Sequence, residues 1–423
     1  MLCSLQAYEG ITLGKAGARQ DKTDYNLLIG TLQLNLGTGT RFFWDSNFNR
    51  TGSNEESVFA VSPLLSIEAY WPISTYVIIS TGITIGYEFY LTGNVDSNGL
   101  TISGIDEFAT SNFDVDFVLR DDSVITLSNE FSVNIASASI QITDEQNNQQ
   151  RQEQPFRSFN SVSLLEYTQV LTPITATSFG YIFANTFTRD VTTNANTAFN
   201  NSLDSQTHSL FAELETQINN ALELSLQGTL SSTTYSEDFR NDFEQYEFGP
   251  RITYVSESGL STSVYLGINF LEFDNTNSPV TQDNESQGLI FESFVSFATG
   301  NYLNHVLGLN YKRTPSQATT ANPENLEEAI PANFQDVTRV TYRLNYLIRK
   351  RMNVILFYGL SQIKESDGGN QFFRETISAR IPFQLNERTT IATDYTYSNV
   401  FGSEFNEFNN QRHLVEVTFR LNF

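Results

Sequence analysis

The sequence predicts an all-β fold: a transmembrane antiparallel up-and-down β-barrel of about 18 strands, with roughly 16 to 20 compatible with the pattern. Three observations carry this. The chain ends in Val415, Val417, Phe419, Leu421 and Phe423, with Glu416, Thr418, Arg420 and Asn422 between them, so its last strand is oily on one face and polar on the other. Similar two-faced segments recur along the chain and reach the length a bilayer requires, beyond the ~5 to 6 residues of a mean soluble strand. The connections between them alternate short and long. A soluble sandwich also alternates, but its turns recur every ~8 to 12 residues. The hairpins here span about twice that.

Composition agrees. Phe 34 and Tyr 19 give 13% aromatic residues, yet mean hydropathy is -0.27, as arises when oily and polar residues alternate. No run approaches the ~18 apolar residues of a membrane helix. The net charge of -24 excludes nucleic acid as a partner, because phosphate binding needs clustered Lys and Arg. Acidic loops would instead recruit divalent cations that bridge to lipopolysaccharide. The one cysteine, Cys3, provides no disulfide framework and no CxxC metal site. It reads as part of a clipped export signal rather than a lipid anchor. Residues 1–23 read as a signal remnant, cleaved near Ala7, and a periplasmic segment, and residues 24–423 as one barrel. A strand starting near Asp24 leaves no room for the folded plug of a TonB-dependent transporter.

The first strand is expected to run from Asp24 to Phe48, bending at the glycines of Gly37 to Thr40. Short turns are expected at Trp71 to Ser74, Arg120 to Ser123, Leu171 to Ile174, Asn219 to Asn220, Ser256 to Gly259, Thr299 to Asn301, Lys350 to Arg351 and Leu385 to Arg388. Long polar loops fall at Asn49 to Ser57, Gly93 to Asn98, Thr143 to Gln154, Asp190 to Ser205, Ser236 to Asn241, Asp274 to Glu285, Thr314 to Ala332, Glu365 to Gly369 and Gly402 to Asn409. Nine loops and eight turns separate eighteen strands, an even number that returns both termini to one side, the periplasmic side of such barrels. Lipid-facing sets include Val77, Ile79, Ile83, Ile85, Tyr87 and Phe89, and Leu222, Leu224, Leu226 and Leu230. Aromatics near strand ends, Trp71, Tyr90 and Tyr346 among them, suit interfacial girdles.

The opposite faces would line a lumen, and their charges are segregated. Early strands supply Glu68, Glu88, Asp114, Asp116, Glu130, Glu213, Glu215 and Glu223. Late strands supply Arg251, Arg339, Arg343, Arg374, Arg380 and Arg420, with Glu247, Glu292, Asp394 and Glu416 among them. In an eighteen-strand cylinder strand n stands opposite strand n+9, so acid faces base and the field runs across the pore. The alternative is that these charges pair with neighbours along the wall.

Catalysis finds no support. His305 and His413 fall in lipid-facing register and His208 beside a loop, so no Ser-His-Asp arrangement has a base. HExxH, Walker A and GxSxG motifs are missing. Asp274 to Glu285 does not match an EF-hand loop, so neither metal nor cofactor is expected. Asp144 to Gln154 is polar and of low complexity, and reads as a mobile outer loop.

The segment Glu68 to Leu91, followed by Thr101 to Arg120 and Asp122 to Ile135, resembles strands of uncharacterised outer-membrane barrels of Verrucomicrobia-like bacteria. Those look like relatives of β-barrel porins encoded near exopolysaccharide genes. Phe419, Leu421 and Phe423 look like the signal read by the barrel assembly machinery, although the usual upstream glycine is lacking. The resemblance implies an outer-membrane location and a pore. The expected function is porin-like diffusion of small hydrophilic or charged solutes, and the alternative is a non-conducting structural or exopolysaccharide-export barrel whose lumen loops such as Thr314 to Ala332 block.

Overall fold

A computed structural model describes residues 25–48, 57–93, 98–103, 111–143, 149–190, 204–236, 242–274, 285–315, 319–321, 334–365, 371–402 and 411–423. Alternation makes strands, and the strands are β1 (Leu27–Ile29), β2 (Leu32–Asp45), β3 (Val58–Ser74), β4 (Val77–Tyr90), β5 (Gly99–Ser103), β6 (Ser111–Arg120), β7 (Ser123–Thr143), β8 (Gln149–Thr172), β9 (Thr175–Asp190), β10 (Ser205–Asn219), β11 (Leu222–Tyr235), β12 (Phe243–Val255), β13 (Ser261–Phe273), β14 (Glu285–Thr299), β15 (Leu303–Pro315), β16 (Thr319–Ala321), β17 (Phe334–Arg349), β18 (Met352–Glu365), β19 (Gln371–Gln384), β20 (Thr389–Gly402) and β21 (Arg412–Asn422). All belong to one sheet. β5 and β6 share one position in the wall, both pairing with β4 and with β7, and β1 and β16 are short additions. The wall therefore has 18 antiparallel strands, and β2 closes it by pairing with β21 from Gly37↔Asn422 to Asp45↔Leu414.

Polarity is inverted relative to a soluble core. Apolar side chains are the exposed ones, including Leu226, Phe248, Leu266 and Leu289, the last at 65%. The buried set is mostly polar, with Glu88, Asp114, Asp116, Glu166, Asn269 and Thr418 on the inner face. Buried apolar residues make two small clusters, Phe48 with Val58 and Leu271 with Phe273 and Phe334. A sandwich would instead bury its apolar rows between two sheets. No helix among the described residues is long and apolar enough to cross a membrane, which does not bear on crossing by strands.

Several expectations are corrected. Asp24 to Phe48 is not one strand: Gly30, at φ 62, turns a tight hairpin in which Leu27 pairs with Leu34, while Gly37 to Thr40 does stay within β2. The chain does not turn at Trp71 to Ser74; β3 runs through Ser74, and the turn is Thr75–Tyr76 with the Ser74 hydroxyl accepting from the Val77 amide. The expected strand from Thr101 to Arg120 is in two pieces. Thr143 to Gln154 is mostly not loop, since Thr143 pairs with Gln149 and β7 and β8 run 21 and 24 residues. Within Thr314 to Ala332, Thr319–Ala321 pairs parallel to Ile140–Ile142 of β7. The centres of the other long loops and residues 1–24 lie outside the described residues.

Candidate functional site: the inner wall and its latched hairpin

Strand alternation puts Glu88 on the inner face with Thr84 and Gly86, and Tyr90, two residues on, lands there too. Its hydroxyl donates to Glu88 at 2.8 Å, and its ring packs edge-on against Phe43 and Phe48. Tyr90 is thus no interfacial aromatic. Glu88 is 4% exposed and holds two guanidiniums, Arg41 at 2.7 Å and Arg157 at 3.4 Å; Arg41 also lies 3.9 Å from Glu416. Beside them Arg412 binds Asp45 at 2.5 Å. Arg41, Asp45, Glu88, Arg412 and Glu416 rim a recess of about 260 Å³.

Arg157 comes from β8, three positions round the wall from Glu88 on β4. Its guanidinium donates to the carbonyl of Leu100 and lies against Gly99, where an added Cβ would overlap it. Ile135, its cross-strand partner on β7, packs against the Phe48–Val58 cluster, as Tyr90 does. Both contacts lie on the odd-numbered face of the hairpin, which lower in the wall points outward at Leu127 and Leu165. At Ile135 and Arg157 this face of the hairpin is therefore turned toward groups of β2–β5, while Arg157 still pairs with Arg189 of β9. Thr319–Ala321 then adds to the hairpin's free edge at Ile140–Ile142. Only four Cα steps separate Pro315 from Thr319, at most ~14 Å of chain, so the hairpin top leans close to the end of β15 on the far side of the mouth.

The predicted acidic residues divide by partner. Glu68 accepts from Asn35 at 3.1 Å, and Glu213 accepts from Gln227 at 2.6 Å. Asp114 accepts from Asn112 at 2.6 Å and Asp116 from Thr126 at 2.8 Å. Glu215 is buried on β10 beside Ser225 on β11, Glu223 lies at the short-turn end of β11, and Glu130 is exposed on β7. Among the predicted basic residues, Arg251 lies 3.4 Å from Glu292 and over the Tyr265 ring, and Arg380 lies 3.5 Å from Asp394. Arg339 and Arg374 flank Ser361 in register, Arg343 pairs with Phe357 and donates to Asn345 at 3.2 Å, and Arg420 pairs with Gly39 across the closing seam.

Sequence reasoning missed Arg41, Arg157, Arg412, Asp45, Glu166 and Lys312, which pairs with Glu247. Alternation alone would have found Arg41, Glu166 and Lys312, each an even step from an assigned inner residue or opposite one. Arg157 had no such signal, because its role depends on a fold of the hairpin that reverses its face. His208 is not beside a loop but within β10 on the outer face, where its Nδ1 lies 2.5 Å from the Tyr181 hydroxyl. His305 and His413 make the same contact with Tyr342 and Tyr395 on that face. Among the described residues no group of three or more His, Cys, Asp or Glu could hold a metal ion.

No protein-family model matches the chain, and no curated protein matches it. Solved structures do. A BenF-like porin from Pseudomonas fluorescens Pf-5 superposes with a TM-score of 0.51 at 10% identity, covering 93% of this chain and 100% of that one. OccK2 (OpdF) from Pseudomonas aeruginosa gives 0.49 at 10%, covering 92% and 98%, and the outer membrane protein opdK from the same organism gives 0.47 at 10%, covering 92% and 99%. At such identity the likeness to the BenF-like porin is one of fold.

Removing the latch is expected to free the hairpin without opening the cylinder. Arg157→Met leaves Glu88 with Arg41, and Gly99→Ala leaves both charges in place but evicts the guanidinium. Each should raise the open-state current noise of the reconstituted protein, with heat-modifiable migration on gels unchanged; quiet, wild-type traces from both variants would contradict the latch.

Proposed function

We propose that the chain is a porin-like channel of a bacterial outer membrane that passes small hydrophilic or charged solutes. The single observation carrying this is the closed 18-strand cylinder with apolar residues outside and charged residues inside. Shared fold with a protein named as a porin supports it. On this reading lipid and lipopolysaccharide cover the outer face, and both termini lie in the periplasm. Trp71 and Tyr346, each about two-fifths exposed on the outer face, anchor the short-turn interface. Phe419, Leu421 and Phe423 are read by the barrel assembly machinery. Kinship with the Verrucomicrobia-like barrels rests on the Glu68 to Leu91 segment.

Charge preference follows from the inner wall. Arg339, Arg343, Arg374 and Arg380 lie on β17 and β19, while Asp114, Asp116, Glu130, Glu166, Glu213, Glu215 and Glu223 lie on β6 to β11. Opposed walls of unlike sign set a transverse field that favours polar solutes over apolar ones. A second reading, a non-conducting structural or export-associated barrel, is favoured by one feature, the hairpin latched across the mouth with Thr319–Ala321 added to it.

Two experiments test the proposal. Leu226→Arg should destabilise the barrel in liposomes by about 2 kcal/mol or more and its neighbour Gln227→Arg by far less, measured as the urea midpoint; equal effects would argue against lipid on the outer face. Planar-bilayer recording should show steady single-channel steps, and Arg374→Glu with Arg380→Glu should shift the reversal potential toward cation preference. Electrical silence from correctly folded protein would favour the second reading, and an unmoved reversal potential would remove those arginines from the pore.

A further inference from the structure

Between the latched mouth and the short turns, the inner wall of β6–β11 carries seven carboxylates, and the only Lys or Arg described on these strands with a described side chain are Arg120 at the short-turn rim and Arg157 and Arg189 near the long-loop end. One carboxylate stands out. Glu166 on β8 is 5% exposed, its Oε2 has no hydrogen-bond partner in good geometry, and the donors that bear on its carboxylate are the Ser178 and Thr168 hydroxyls. Its register neighbours are Thr126 on one side and Gly180 on the other. Thr126 donates to Asp116, and Gly180 pairs with Phe211. Because Gly180 has no side chain, the edge of the Phe211 ring approaches it closely; a Cβ there would come within 2.6 Å of the ring. Phe211 and Glu213 are both half-exposed to the lumen, and the Thr168 and Ser178 hydroxyls, 2.9 Å apart, complete the surround.

We propose that this place is a binding subsite for the ammonium group of a permeating solute. A buried carboxylate oxygen without a hydrogen-bond partner, a second carboxylate one strand further on, paired hydroxyls and an aromatic face form the set that recognises an alkylammonium: N–H donors go to the oxygens and the positive charge lies against the ring. Three carboxylates without a cation between them disfavour an anion there, and the separation between the acids, each across an intervening strand, does not suit a bare metal ion. The inference rests on the pore reading, since it takes the inner wall to be reached by solutes. Glu213, half-exposed on the same face, meets the ammonium first.

The test is titration of detergent-solubilised protein with n-butylammonium, n-butyrate and n-butanol, probes of one chain length and three charges, followed by isothermal calorimetry. The wild type should bind butylammonium and show no saturable heat with the other two. Glu166→Gln, which preserves shape, should weaken binding about tenfold, the size of a lost charge-assisted hydrogen bond. Phe211→Leu should weaken it severalfold, and heat-modifiable migration verifies folding of each. Should Glu166→Gln not fold, Phe211→Leu alone decides. Unchanged affinity in the folded variants, or no association of butylammonium with the wild type, overturns the subsite. The measurement needs no conductance, so binding without channel activity would refute the pore reading alone, and conductance without binding would refute the subsite alone.

Discussion

Closure of the sheet is the constraint on which the rest of the structure depends. A strand with a free edge leaves a row of backbone N–H and C=O groups unpaired, and in hydrocarbon each such group costs several kcal/mol. The pairing of β2 with β21 removes that edge, and the details at the seam show how completely. The Phe423 amide donates to the Leu36 carbonyl, and the Asn26 side chain bonds both polar groups of the Leu36 backbone, continuing the ladder past the end of β21. β1 then occupies the edge of β2 below the terminus. The short N-terminal hairpin is thus a consequence of β2 being longer than its C-terminal partner.

Once the sheet is closed, alternation decides everything about the two faces, and this is why so much was legible in the sequence. The rows at Val77 to Phe89 and at Leu222 to Leu230 needed only period two, and the polar turn chemistry at Lys350 to Arg351 and Leu385 to Arg388 placed the chain reversals. The count of eighteen followed from the alternation of turns and loops, even though the first strand was drawn too long and the fourth is split. What period two does not encode is where a strand stops: Trp71 to Ser74 reads as a turn by its proline, yet Pro72 sits at the end of β3, where its register with β4 shifts beside Ser74. Nor does it encode where pairing continues past the oily face. The polar run after Thr143 looks like loop because its residues lack an oily face, yet Gln149 to Gln154 pair with β7.

The charges of the inner wall fall into two kinds. Where the hairpin meets β2–β5, acid and base are matched at short range: Glu88 with Arg41 and Arg157, Asp45 with Arg412. Removing these groups from water is costly and their mutual attraction has to offset it, so they occur as pairs with tight geometry and contribute more to the shape of the mouth than to net stability. Sequence position hid this, because Arg41 and Arg157 belong to the half of the chain that otherwise supplies carboxylates.

Away from the mouth the walls are not matched in this way. On β12–β15 the pairs Arg251 with Glu292 and Lys312 with Glu247 still cancel locally, but β6–β11 carries acids whose partners are hydroxyls and amides, such as Thr126 for Asp116 and Gln227 for Glu213. Neutral donors hold a carboxylate's position without cancelling its charge. A tube whose mouth pairs acid with base across several strands, and whose body sets carboxylates on β6–β11 against arginines on β17 and β19, arranges charge on two length scales: short-range pairs at the mouth and an excess of opposite sign on separate arcs of the wall. That division requires the two sectors to stand on different arcs of one closed wall, which returns the electrostatics of the lumen to the pairing of the first full strand with the last.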